Sequence, residues 1–313
     1  MASNTRRRSA AHKSANPTKN AVDISKKRSS TPEVLHKAES VTGFLQLVFG
    51  LSKITSKVRC YRGESDATWE LKPSIMRGVR SEAENQIFSE LMLEAPTEFS
   101  NDRAMFDKLV RAQHYGLPTR LLDVSLNPLV GLYFACNEEK HHDKDGAVMV
   151  FDFIEKRVKF ADSDTISLIS NLARLSDDER NEISREGRKS KNELDIDGFR
   201  KIPAVERLLQ FVRVEKPYFL NSVDPSDLFR YLFVHPVKNN RRVIAQSGAF
   251  IAAGLLRYKS PASSSSYNLH TIVIPAAKKA TILRELDIIN INSRTMFPEV
   301  EFVSKYIKNK WTS

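Results

Sequence analysis

The chain has 313 residues, is 41% hydrophobic and 28% charged, and carries a formal net charge of +11. This is enough for one large domain or two ordinary ones with a core of normal size. No window approaches the roughly 18 consecutive apolar residues of a membrane helix, and no apolar stretch follows the early arginines as in a secretory signal, so a cytoplasmic protein with no membrane partner is expected.

In chain order, residues 1–31 read as a disordered basic tail. They hold eight arginines and lysines against Asp23 alone, a net +7 that leaves only +4 for the rest. Almost no large apolar side chain is present to offset the entropy of ordering. Such a tail attracts nucleic acid in a salt-dependent way. Residues 32–313 read as a single domain with a charged helical insertion near 160–225. Thr31 and Pro32 are a cap and a first turn for a helix carrying Val34, Leu35, Val41, Phe44, Leu45 and Val48 at helical spacing.

A strand is expected over 58–63, then a loop to Arg77. Helices follow over 81–99 and 102–114, the second stopped by Gly116-Leu117-Pro118. An extended segment over 119–124 leads to a helix from Pro128 to Asn137, capped by Asn127. Residues 146–153 form a strand pattern. The charged run 176–200 reads as a solvated helical insertion. Strands are expected over 241–256 and 271–275, and helices over 276–287 and 299–308. Helices and short strands interleave without a regular βαβ rhythm, so the fold class is α+β.

Cys60 and Cys136 stand in neither a C-x-x-C nor a Cys/His spacing, which fits buried thiols. His141-His142-Asp143 lacks a third spaced ligand, so no metal is expected. A phosphate loop of the G-x-x-x-x-G-K-(S/T) type is absent, which disfavours an ATPase.

Three polar constellations remain. Tyr61-Arg62-Gly63-Glu64-Ser65-Asp66 sets a guanidinium beside a bare backbone, a combination suited to phosphate. Gln113 to Pro128 crowds Gln, His, Thr, Arg, Asp, Ser and Asn among apolar residues; on a strand, Thr119 and Asp123 share one face and Arg120 takes the other. Asn239 to Phe250 carries Gln246 beside Gly248.

Together these blocks resemble the FRG family. Trp69, Leu71, Pro73, Ser74 and Arg77 match its W-x-L-x-P-S-x-x-R stretch. The long block matches Q-H-x-G-x-P-T-R-L-L-D-x-(T/S)-x-N-P-x-x-A-L-x-F-A, with Gly131 in place of an alanine. Gln246 to Phe250 is similar to Q-x-G-x-F, and Met296-Phe297-Pro298 to a terminal (L/M)-F-P.

A more distant resemblance is to ADP-ribosyltransferases, through Arg62 and the run from Asp123 to Ala135. It implies an ADP-ribosyltransferase-like split antiparallel sheet with flanking helices, and NAD as a substrate. Arg62, Asp123 and Gln246 would be catalytic and line one cleft. Tyr61, Arg62, Gly63, His114, Tyr115, Thr119, Arg120, Ser125 and Asn127 would bind the dinucleotide, with Tyr61 or Tyr115 stacked on nicotinamide. Toxin–antitoxin or phage-defence membership, an RNA or protein acceptor and an antitoxin partner are implied with it. Two other readings stay open: a binding module for nucleotide or nucleic acid, and a metal-independent ribonuclease using His114 with Arg62 and Arg120 on phosphate.

Overall fold

A computed structural model describes residues 33–51, 58–80, 82–189, 195–255 and 265–312. The basic tail, Thr31 and Pro32 lie outside them. In chain order the elements are β1 (Glu33–Lys37), α1 (Val41–Gly50), β2 (Val58–Glu64), α2 (Ala83–Glu94), α3 (Met105–His114), β3 (Leu121–Ser125) and α4 (Pro128–Cys136). They continue with β4 (Gly146–Phe153), β5 (Val158–Phe160), α5 (Asp164–Asn171), α6 (Asp177–Gly187), α7 (Ile196–Arg200), α8 (Pro203–Glu215) and β6 (Tyr231–His235). The last are α9 (Arg241–Ala245), β7 (Gly248–Ala253), β8 (Tyr267–Ile274), α10 (Lys279–Ile288), α11 (Ser293–Met296) and α12 (Val300–Thr312).

The strands form one sheet in the order β1-β8-β4-β2-β3-β7-β6-β5. Its middle is antiparallel, but the outer pairs β1–β8 and β5–β6 are parallel, where an antiparallel sheet was expected. Every residue of β4 is buried. Both faces are covered, so its sequence runs apolar without alternating. Flanking helices cover the sheet, as expected for α+β. No helix among the described residues is long and apolar enough to cross a membrane.

Three local expectations are corrected. Residues Glu33–Lys37 do not open a helix; they pair in parallel with β8, and α1 begins at Val41, where the Ser40 side chain accepts from the Gly43 amide at 3.1 Å. Residues 241–256 are not one strand. Asn240 caps the short α9, Ser247 turns the chain at φ 46°, and β7 starts at Gly248. The charged run 176–200 is not simply solvated. Ile183 and Phe199 are buried with Leu208, Leu209 and Val212 in a core among α6, α7 and α8.

β2 and α4 approach each other closely. A Cβ on Gly63 would overlap the Gly131 carbonyl oxygen and lie 2.5 Å from the Ala135 amide nitrogen. A Cβ on Gly131 would sit 3.0 Å from Tyr61 Cβ, a tight contact at the position where the FRG pattern has alanine. Arg59 holds the other end of β2: its guanidinium donates to both Asp152 oxygens, at 2.7 and 2.9 Å, and to the carbonyls of Val48 in α1 and of Leu51 just after it.

Gly63→Ala should therefore destabilise the protein by at least about 1–3 kcal/mol through backbone overpacking. Gly50→Ala, with open space around its site, should cost nothing. Urea unfolding of both variants checks this; equal stabilities would show that β2 and α4 can separate freely.

Candidate functional site

Side chains alternate along β2, so Tyr61 and Gly63 face α4 while Arg62 and Glu64 share the other side. β2 and β3 pair at a single position, Tyr61 with Ser125, and then part. Beyond that pair the Arg62 guanidinium satisfies β3 in place of a backbone amide: Nη1 donates to the Asp123 carbonyl at 2.9 Å. Its Nε donates to Glu64 Oε1 at 3.0 Å. A cavity of about 350 Å³ opens at this parting, and Arg62, Glu64, Asp123 and Gln246 all border it. Trp69, Phe134 and Phe297 supply aromatic walls.

The Asp123 carboxylate is held from behind. Gln113 Nε2 donates to Asp123 Oδ2 at 2.5 Å, and Gln113 Oε1 accepts from the Thr119 hydroxyl. That hydroxyl also accepts from the Leu121 amide at 3.1 Å. Thr119 thus fixes the site without reaching the cavity. Ser125 borders the cavity, donates to the Gln246 carbonyl at 2.7 Å and accepts from the Asn127 amide at 2.9 Å. Asn127 lies outside the cavity lining and caps α4 by accepting from the Leu129 amide at 3.0 Å.

Tyr61, Gly63 and His114 also border the cavity. His114 Nε2 lies 3.3 Å from Glu299 Oε1 at the rim. Gln246 is present, but it follows a short helix and is not on a late strand. Its side-chain amide donates to the Met296 carbonyl at 3.0 Å, so it ties the cavity wall to α11.

Besides Thr119 and Asn127, two more expected ligand-binding residues lie outside the cavity lining. Arg120 is 2% exposed. It donates twice to Glu84, at 2.9 and 2.6 Å, and to the Ala253 carbonyl. Just before β3 begins, it reaches α2, where the Glu84 carboxylate is also met by Arg180 at 3.4 Å. The ribonuclease reading thereby loses its second phosphate arginine. Tyr115 points out of the site, its hydroxyl donating to Glu98 at 2.6 Å.

Glu64 and Gln113 were missed as site residues. The signal for Glu64 was the i, i+2 spacing from Arg62 on a strand; nothing local marks Gln113 as the support of Asp123. Burial raises the Glu64 carboxyl above its ordinary value, against the opposing pull of Arg62. Lys279, fully buried, donates to the carbonyls of Ser65 at 2.6 Å and His141 at 2.8 Å, and so anchors the end of β2 beside the cavity. Cys60 and Cys136 are buried free thiols. Burial raises the Cys60 thiol well above its usual value and pushes Cys136 up to about 12, which makes both poor nucleophiles at neutral pH. Among the described residues, no group of three His, Cys, Asp or Glu side chains is placed to hold a metal ion.

The fold and cavity define an α+β protein with an arginine–carboxylate site at a parted sheet. The FRG domain model matches residues 57–144, so the chain carries an FRG domain. That span includes Arg62, Glu64, Gln113 and Asp123; Gln246 and Phe297 lie beyond it. No curated protein and no solved structure matches the chain.

Because the folded carboxyl of Glu64 holds its proton to higher pH than the unfolded one, its stabilising contribution is full below the ordinary value of 4.5 and is lost as pH rises through the folded value. Glu64→Gln cannot ionise. The stability of this variant relative to wild type should therefore rise with pH across that window in denaturant titrations. Parallel profiles for the two proteins would mean that Glu64 titrates alike in both states.

Proposed function

We propose that the chain is an NAD-dependent ADP-ribosyltransferase-like enzyme. The observation that carries this reading is the convergence of Arg62, Asp123 and Gln246, from three separate segments, on one cavity beside the buried Glu64. The parting of β2 from β3 is what a split-sheet fold of this kind needs in order to admit a dinucleotide between its halves. A cavity of about 350 Å³ lies in the usual range for small-molecule sites.

In this reading Arg62 binds phosphate or the adjoining ribose through Nη2, the nitrogen with no protein partner among the described residues. Asp123, oriented by Gln113, accepts from the nicotinamide ribose. The aromatic walls take the nicotinamide ring, in place of the outward-facing Tyr115. The glycosidic C–N bond breaks and nicotinamide leaves with its electron pair. The acceptor's nucleophile bonds to the anomeric carbon and gives up its proton. Positive charge develops on the ribose as the bond breaks, and Asp123 and Glu64, which both border the cavity, stabilise it. An RNA or protein acceptor, and a toxin–antitoxin or phage-defence setting, are supported by the family resemblance alone.

Purified protein incubated with labelled NAD and a cell extract should consume NAD and move label onto macromolecules. Arg62→Ala and Asp123→Asn should each lower the rate about 10²–10³-fold. Sensitivity of the labelled product to RNase or protease names the acceptor. Folded wild-type protein that leaves NAD intact with every acceptor would sink the reading.

A further inference from the structure

Ser74 and Arg77 belong to the sequence blocks that carry the family resemblance, yet neither borders the cavity described above. Both line a second cavity of about 200 Å³. Arg62, Gln113 and Asp123 form a wall common to the two cavities.

The turn that carries Arg77 is fastened down. Ser74 Oγ accepts from the Thr119 amide at 3.0 Å and donates to the Thr119 carbonyl at 3.3 Å, and the Ile75 amide donates to that carbonyl at 3.1 Å. Arg77 Nε donates to the Lys72 carbonyl at 2.7 Å. Its two terminal nitrogens have no protein partner among the described residues. Arg62 likewise has Nε and Nη1 engaged and Nη2 without one.

Two guanidinium groups therefore face one cavity with donors to spare. Burial, and next the charge of Arg62, lower the Arg77 pKa, which agrees with their closeness. The nearby carboxylates are already bound, Asp123 by Gln113 and Glu64 by Arg62. Like charges side by side repel unless an anion lies between them, and a paired guanidinium fork matches phosphate oxygens.

We propose that Arg62 and Arg77 together bind the diphosphate of a nucleotide that crosses from the first cavity into the second, with Arg62 at the shared wall. The proposal rests on the reading above for the ligand's ribose-bearing half, and on the two arginines alone for the anion.

The test is calorimetric titration of the full chain with inorganic pyrophosphate. Wild type, Arg77→Gln, Arg77→Lys and the exposed neighbouring control Arg80→Gln are compared, with thermal melting to check folding. Arg77→Gln should bind roughly ten- to a hundred-fold more weakly, Arg77→Lys should fall between it and wild type, and Arg80→Gln should match wild type. No pyrophosphate binding by wild type, or equal weakening at positions 77 and 80, would overturn the clamp. NAD consumption is followed on the same samples. Intact pyrophosphate binding without NAD loss would remove the transferase reading and leave the anion clamp standing.

Discussion

The close approach of β2 to α4 through Gly63 is the constraint on which the site depends. A strand backbone lies against a helix backbone with no side chain between them, which glycine alone permits. With Gly63 committed to that contact, strand alternation sends Arg62 and Glu64 together to the opposite side. Tyr61, on the α4 side, is buried against Val130, Leu132 and Tyr133. Arg59 at one end of β2 and Lys279 at the other hold the strand in place. Arg62 is thus presented by a strand fixed at its middle and at both ends.

The second constraint is the incomplete pairing of β2 with β3. A continuous ladder would satisfy the Asp123 carbonyl with a backbone amide and close the sheet. Here a guanidinium does so, and a space lined by charges opens between the strands. Keeping ionic groups in a partly buried site costs free energy unless each finds a partner. The pairs Arg62–Glu64 and Gln113–Asp123 supply those partners on the protein side while leaving guanidinium donors directed outward. The arginine of the long motif has the opposite fate. Arg120 spends its donors on Glu84 and Ala253, and so ties α2 to the sheet.

Much of the fold was legible from local signals. Asn127-Pro128 announces the start of α4, and the Asn127 side chain does cap it. The apolar run from Gly146 to Phe153 is a strand buried on both faces. Thr119 and Arg120, expected on the same strand as Asp123, precede β3: Thr119 reaches Asp123 through Gln113, and Arg120 pairs with Glu84. Parity does not govern a residue just ahead of the strand, and only the packing of α2 decides that Arg120 is found at Glu84.

The sequence by itself determined the segment that matches the FRG domain and the α+β class, because caps and strand alternation are set by near neighbours along the chain. Tertiary structure decided what depends on distant partners. Glu33–Lys37 is a strand only because β8 offers an edge some 240 residues away. Gln246 reaches the cavity from the end of a helix because the turn at Ser247 and the Met296 carbonyl hold it there. Glu64 becomes a buried carboxylate at the site, and Gln113 the support of Asp123, only once β2, α3 and β3 are brought together, and pairing between distant segments leaves no trace in local sequence.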